Sequence, residues 1–104
     1  MYDLTKHEYK TLELRFKQYH SLVAVLRDCD KYDDTFLKNV RYIVTCINKV
    51  FNESDLGTQN LIKLLWWENE PLDVIEDVLG ISRQSINRHK KMVLDRLGNE
   101  LGVV

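Results

Sequence analysis

The chain has 104 residues, of which 44% are hydrophobic and 30% charged, with a formal net charge of −1. This length suits one compact domain, or a small domain with a helical arm, and it folds without disulfide or metal staples. One proline and four glycines are too few for many strands joined by tight turns, so the composition argues for helices.

The near-zero net charge counts mildly against nucleic acid as a partner. Charge acts locally, however, over about 8–10 Å at physiological salt, and here it is segregated along the chain. The opening Met1-Tyr2-Asp3-Leu4 lacks the basic run and apolar stretch of a secretory signal. No apolar run approaches the ~20 residues that span a bilayer. A cytoplasmic protein with no membrane partner, its Cys29 and Cys46 held as reduced thiols, is therefore expected.

The first predicted helix covers residues 5–27. Tyr9, Leu12, Phe16, Tyr19, Val23 and Leu26 alternate at spacings of three and four, the seam of a helix packed on another helix. Glu13 and Lys17 stand at i,i+4, the spacing of a helical ion pair. Asp28 to Asp34 breaks the pattern, and Asp33 or Asp34 is suited to cap a second helix, because a carboxylate accepts the free N–H groups of a first turn. That second helix, 35–51, has the apolar face Phe36, Leu37, Val40, Ile43, Val44, Ile47, Val50 and Phe51. The two helices read as an antiparallel hairpin or as a dimer seam.

Asn52-Glu53-Ser54-Asp55 is the next break. A third helix, 58–68, carries Leu61, Ile62, Leu64, Leu65, Trp66 and Trp67. Neighbouring residues on a helix differ by about 100°, so the two tryptophans are expected to serve different surfaces, one buried and the other covering the hairpin or a partner. Asn69-Glu70-Pro71 closes this helix, and Pro71 suits the first turn of another.

Residues 72–97 carry the strongest pattern. Leu72, Ile75, Val78 and Leu79 form the stripe of a short helix. Gly80 comes next, where a helix end calls for a left-handed residue. Ile81 plugs the turn and Ser82 caps a new helix, whose stripe is Ile86, Met92 or Val93, and Leu97. Two short helices joined by a tight glycine turn make a helix-turn-helix, whose second helix enters the major groove.

The charge agrees with this. Glu68, Glu70, Asp73, Glu76 and Asp77 make the approach acidic, while Arg83, Arg88, Lys90, Lys91 and Arg96 face only Asp95, a local net of +4. Arginine pairs in bidentate fashion with guanine, and Asn or Gln with adenine. That nominates Arg83, Gln84, Asn87 and Arg88 as readers, with Ser82, Ser85, Lys90 and Lys91 on phosphates. His89 lies in the same helix, within reach of phosphate.

On Leu79-Gly80-Ile81-Ser82 followed by Arg83, Ile86 and Lys90, the stretch 72–97 resembles the helix-turn-helix of sigma factor region 4. It is similar too to small phage transcriptional regulators of the ArpU and RinA late-gene activator type. The resemblance covers the last half of the chain, with 61–67 matching the supporting helix. It implies a helical segment ahead of a C-terminal DNA reader, and RNA polymerase as a further partner. Glu76 stands where that family carries a small residue, so its side chain must point outward or be paired.

No Gly-rich phosphate loop, C-x-x-C, H-x-x-x-H or paired-carboxylate motif is present. No metal, no cofactor and no catalytic residue are expected, and the protein reads as a non-enzyme. The resulting expectation is an all-α chain: a helical hairpin or arm in residues 1–54, used for dimerisation or partner contact, then a three-helix unit with the helix-turn-helix in 55–104. Its function would be sequence-specific transcriptional regulation of phage or mobile-element type, with helix 82–97 in the major groove of double-stranded DNA. Two alternatives stay open: a DNA-binding subunit of a phage packaging machine, similar to a small terminase, and a helical protein–protein adaptor or inhibitor that binds no DNA.

Overall fold

The computed structural model describes residues 4–102. Residues 1–3, which carry most of the argument against a leader, and residues 103–104 lie outside the described residues. The chain is all-α, and among the described residues there is no strand.

α1, Lys6–Lys17, starts at a capping box: the Thr5 hydroxyl accepts the Glu8 N–H at 3.1 Å, and the Glu8 carboxylate accepts the Thr5 N–H at 2.9 Å. Each cap satisfies a donor that the helix itself leaves free. The expected single helix 5–27 is instead two, because the chain bends at Gln18 into α2, Tyr19–Arg27. Tertiary packing overrides the continuous periodicity here. α1 packs on the last helix and on residues 63–67, whereas α2 packs on the third helix. A straight rod would not reach both.

A 3-10 turn, Cys29–Lys31, leads to α3, Asp34–Glu53. Asp33 caps it, accepting the Phe36 N–H at 2.8 Å. Leu37, Val40, Val44, Ile47 and Val50 form its buried face, matching the predicted one. Phe36 departs from that stripe and is exposed.

Asp55 caps α4, Leu56–Ile62, accepting the Thr58 N–H at 2.7 Å. That backbone hydrogen bond holds the Asp55 carboxyl below its ordinary pKa. α4 therefore begins two residues before the predicted start, and it continues into a π-helical turn, Lys63–Trp67, closed by the Glu68 N–H on the Lys63 carbonyl at 2.7 Å. Asn69 takes a left-handed φ of 54°, which its short polar side chain tolerates. Pro71 precedes α5, Leu72–Leu79, and α6 spans Arg83–Leu101, ending four residues beyond the predicted end.

The π turn orients the tryptophans. Trp66 is buried and stacks on Phe16, ring centroids 4.5 Å apart. Trp67 lies half-buried over the α2–α3 hairpin, 5.1 Å from the Tyr19 ring and 5.0 Å from Phe51, and its Nε1 donates to the Phe16 carbonyl at 3.0 Å.

Two clusters of buried side chains organise the molecule. The larger joins Leu12 and Phe16 of α1, Ile47 and Val50 of α3, Ile62 and Trp66, and Val93, Leu94 and Leu97 of α6. The helix boundary at Ser54 and Asp55 coincides with the division drawn from the sequence, but this core takes side chains from both segments. The α1 seam is thus buried within the chain. The smaller cluster is Leu61, Ile75 and Ile86, flanked by Leu64, Leu72, Leu79 and Ile81. It holds α5 and the first half of α6 against α4, while the C-terminal half of α6 is rooted in the main core. Cys46 is buried and its thiol lies 3.6 Å from the Glu100 carbonyl; burial pushes that thiol above its ordinary pKa. Both cysteines are free, and among the described residues no helix is long and apolar enough to cross a membrane.

Candidate nucleic-acid interface

The junction between α5 and α6 is built by three local decisions. Gly80 has φ +66° and donates its N–H to the Glu76 carbonyl at 2.8 Å. A Cβ added there would meet nothing within 4 Å, so the backbone conformation, not space, favours glycine. Ile81 packs into the smaller cluster. Ser82 caps α6, accepting the Ser85 N–H at 3.2 Å.

Burial of Ile86, Val93, Leu94 and Leu97 then fixes the rotation of α6. Residues opposite that stripe face outward, because side chains four and seven apart share a helix face. Gln84, Arg88 and Lys91 are exposed on this outer strip, with Met92 beside them. Asn87, also exposed, lies on its edge toward α1.

The remaining nominated residues are partly committed inside the protein. Arg83 donates from Nε to the Glu76 carboxylate at 2.9 Å, so Glu76 is paired. Arg83 keeps 55% of its side chain exposed, so it can exchange this partner for a phosphate or a base. Lys90 turns to α1, where its ammonium sits 2.8 Å from the Glu13 carboxylate. Ser82 and Ser85 serve the cap, and Ser85 also offers its hydroxyl to Arg88 at 3.4 Å. His89 points inward: its Nδ1 lies 2.7 Å from the Ser85 carbonyl, and it lines a small cavity of about 200 Å³ with Asp55, Thr58, Leu61, Leu79 and Ile81. It does not join the outer strip.

Glu13 is the polar anchor behind α6. The predicted pair with Lys17 gives way to contacts with Lys90 and with Trp66, whose Nε1 donates to the same carboxylate at 3.0 Å. Burial works to raise the Glu13 pKa, but the hydrogen bonds from Lys90 and Trp66 outweigh it and hold the carboxyl below its ordinary value. A carboxylate with a lowered folded pKa stabilises the fold above the ordinary Glu range, near about 4.3, and that contribution is lost as pH falls through the lowered value. Glu13→Gln is therefore expected to lower the melting temperature at neutral pH and to flatten its decline on acidification. Parallel melting curves for the two proteins between about pH 3 and pH 7 would contradict this.

Sequence reasoning missed Lys6 and Lys10. They line a groove between α1 and α6 whose opposite side holds Asn87, Lys90 and Lys91. Their i,i+4 spacing was visible, but nothing local to α1 indicated that α6 lies beside it. Among the described residues no three His, Cys, Asp or Glu side chains gather where a metal ion would sit.

The chain matches no protein-family model, and no characterised protein or solved structure is significantly similar to it.

Proposed function

We propose that this chain is a sequence-specific DNA-binding transcriptional regulator of phage or mobile-element type, with α5 and α6 acting as a helix-turn-helix that lays the first half of α6 in the major groove. The observation carrying this reading is the outer strip of α6. Gln84, Arg88 and Lys91 stand exposed together on a helix held by Ile86 at one end and Leu97 at the other. A rigid helix bearing an amide and two cations matches what a major groove presents: base-edge donors and acceptors between two rows of phosphate. Arg83 and Asn87 flank the strip and complete the set of readers. RNA polymerase is the natural further partner for such a regulator.

The adaptor reading has one observation in its favour. Asp73, Val74, Asp77 and Val78 are all exposed on α5, Val78 departing from its expected place in the stripe, and they make an acidic and apolar face that a protein partner would suit. Titration of the protein with a short random-sequence duplex at low and at moderate salt separates the two. A regulator binds at low salt and loses affinity steeply as salt rises, because phosphate contacts release counterions. A folded protein that binds no duplex at low salt would remove the DNA reading and leave the adaptor.

A further inference from the structure

We propose that α1 carries a second phosphate-binding edge, Lys6 and Lys10, which grips the DNA backbone beside the groove occupied by α6. The inference rests on the DNA-binding reading and extends it to a part of the chain that carries no motif.

Lys6 and Lys10 are both exposed and stand one helical turn apart, about 6 Å along the axis. The next face of α1 ties the helix to α6. The Tyr9 hydroxyl donates to Asp95 at 2.6 Å, and Glu13 meets Lys90 at 2.8 Å. These two links, one near each end of the shared groove, hold the α1 lysines on one side of it, with Asn87 and Lys91 on the other. Lys6 and Lys10 on α1, with Arg88 and Lys91 exposed on α6, thus give two rows of cations on adjacent, joined helices.

Two described acids beside these rows, Glu13 and Asp95, are already engaged. Glu13 is bound by Lys90 and Trp66, and Asp95 accepts from Tyr9 and lies 3.9 Å from Lys91. Lys6 and Lys10 form no ion pair among the described residues. Helix stability does not explain Lys6 either. It is the first residue of α1, where the positive end of the helix dipole disfavours a cation. A regular array of phosphates is the ligand that two fixed cation rows fit. Contacts of this kind position a protein on DNA without reading sequence.

The test compares the full chain with Lys6→Ala/Lys10→Ala and with Lys6→Arg/Lys10→Arg on random-sequence duplexes across a salt series. Circular dichroism and thermal melting confirm that each variant is folded. The alanine variant is expected to flatten the slope of log affinity against log salt by about 2 and to weaken binding to every duplex alike, with arginine restoring both. An unchanged slope and affinity, in a protein whose binding is lost with Arg88 and Lys91, would overturn this proposal and leave the α6 reading standing. No duplex binding by the unmodified protein would overturn the DNA reading and this proposal together.

Discussion

Trp66→Ala is expected to destabilise the protein by about 3–5 kcal/mol, the range for truncating a buried aromatic. The indole is buried, stacks on Phe16 of α1 and packs in the cluster that also holds Val93, Leu94 and Leu97 of α6. Its removal opens a cavity where the two ends of the chain meet. It also takes from Glu13 one of its two hydrogen-bond partners. Domains of this kind are stable by only about 5–15 kcal/mol, so the urea midpoint should fall by roughly a fifth or more. Trp66→Phe tests the same site more gently. It keeps an aromatic ring against Phe16 but removes the N–H and part of the buried indole, so it should cost less than the alanine change, about 1–3 kcal/mol. A loss below about 1 kcal/mol for the alanine variant would mean that Trp66 does not hold α1 to α6.

The second large effect concerns the proposed interface. Arg83→Ala/Arg88→Ala/Lys91→Ala should reduce duplex affinity by about two to three orders of magnitude near 0.1 M salt, if each cation neutralises one phosphate or its equivalent. Lys90 is left in place because it is bound to Glu13, and its removal would disturb the anchor as well as the surface. Two single variants give the expected contrast. Gln84→Ala should relax preference at one base pair by about 1–3 kcal/mol while leaving random DNA little changed. Glu76→Gln should act in the opposite direction, tightening binding a few-fold by releasing Arg83; the gain is small because exposed ion pairs are worth at most about 1 kcal/mol. Affinity changes are measured by fluorescence anisotropy on matched duplexes. A triple variant that binds like the unmodified protein would remove the outer strip of α6 from the interface.

The caps show which kinds of structural information are local. Ser82 was legible as a helix start, Asp33 as one of two candidates with Asp34, and Gly80 as a left-handed helix end, because each depends on hydrogen bonds within four residues or on a single backbone torsion. Most of the apolar faces of α3 and α6 were legible for a related reason, since a repeat of three and four residues marks one side of a helix wherever that helix packs; the choice of Val93 over Met92, and the exposure of Phe36, came from the packing. The same rule misled at Gln18. A periodic seam over residues 5–27 states which side is buried but not against what, and α1 and α2 bury their sides against different helices.

The site divides in the same way. Exposure of Gln84, Arg88 and Lys91 followed from their positions opposite Ile86 and Val93. The retention of Lys90 by Glu13, 77 positions earlier in the chain, did not follow from any spacing. Nor did the inward turn of His89 or the placement of Lys6 and Lys10 beside α6.

By itself, then, the sequence determined an all-α chain, the capped turn between α5 and α6, and the stripe that sets the rotation of α6, all of which depend on interactions between near neighbours. The tertiary structure alone decided the bend that sends α1 and α2 to different partners, the core shared by both ends of the chain, and which cations are held and which remain available. Those outcomes depend on contacts between residues far apart in sequence, and these arise only once the helices have packed.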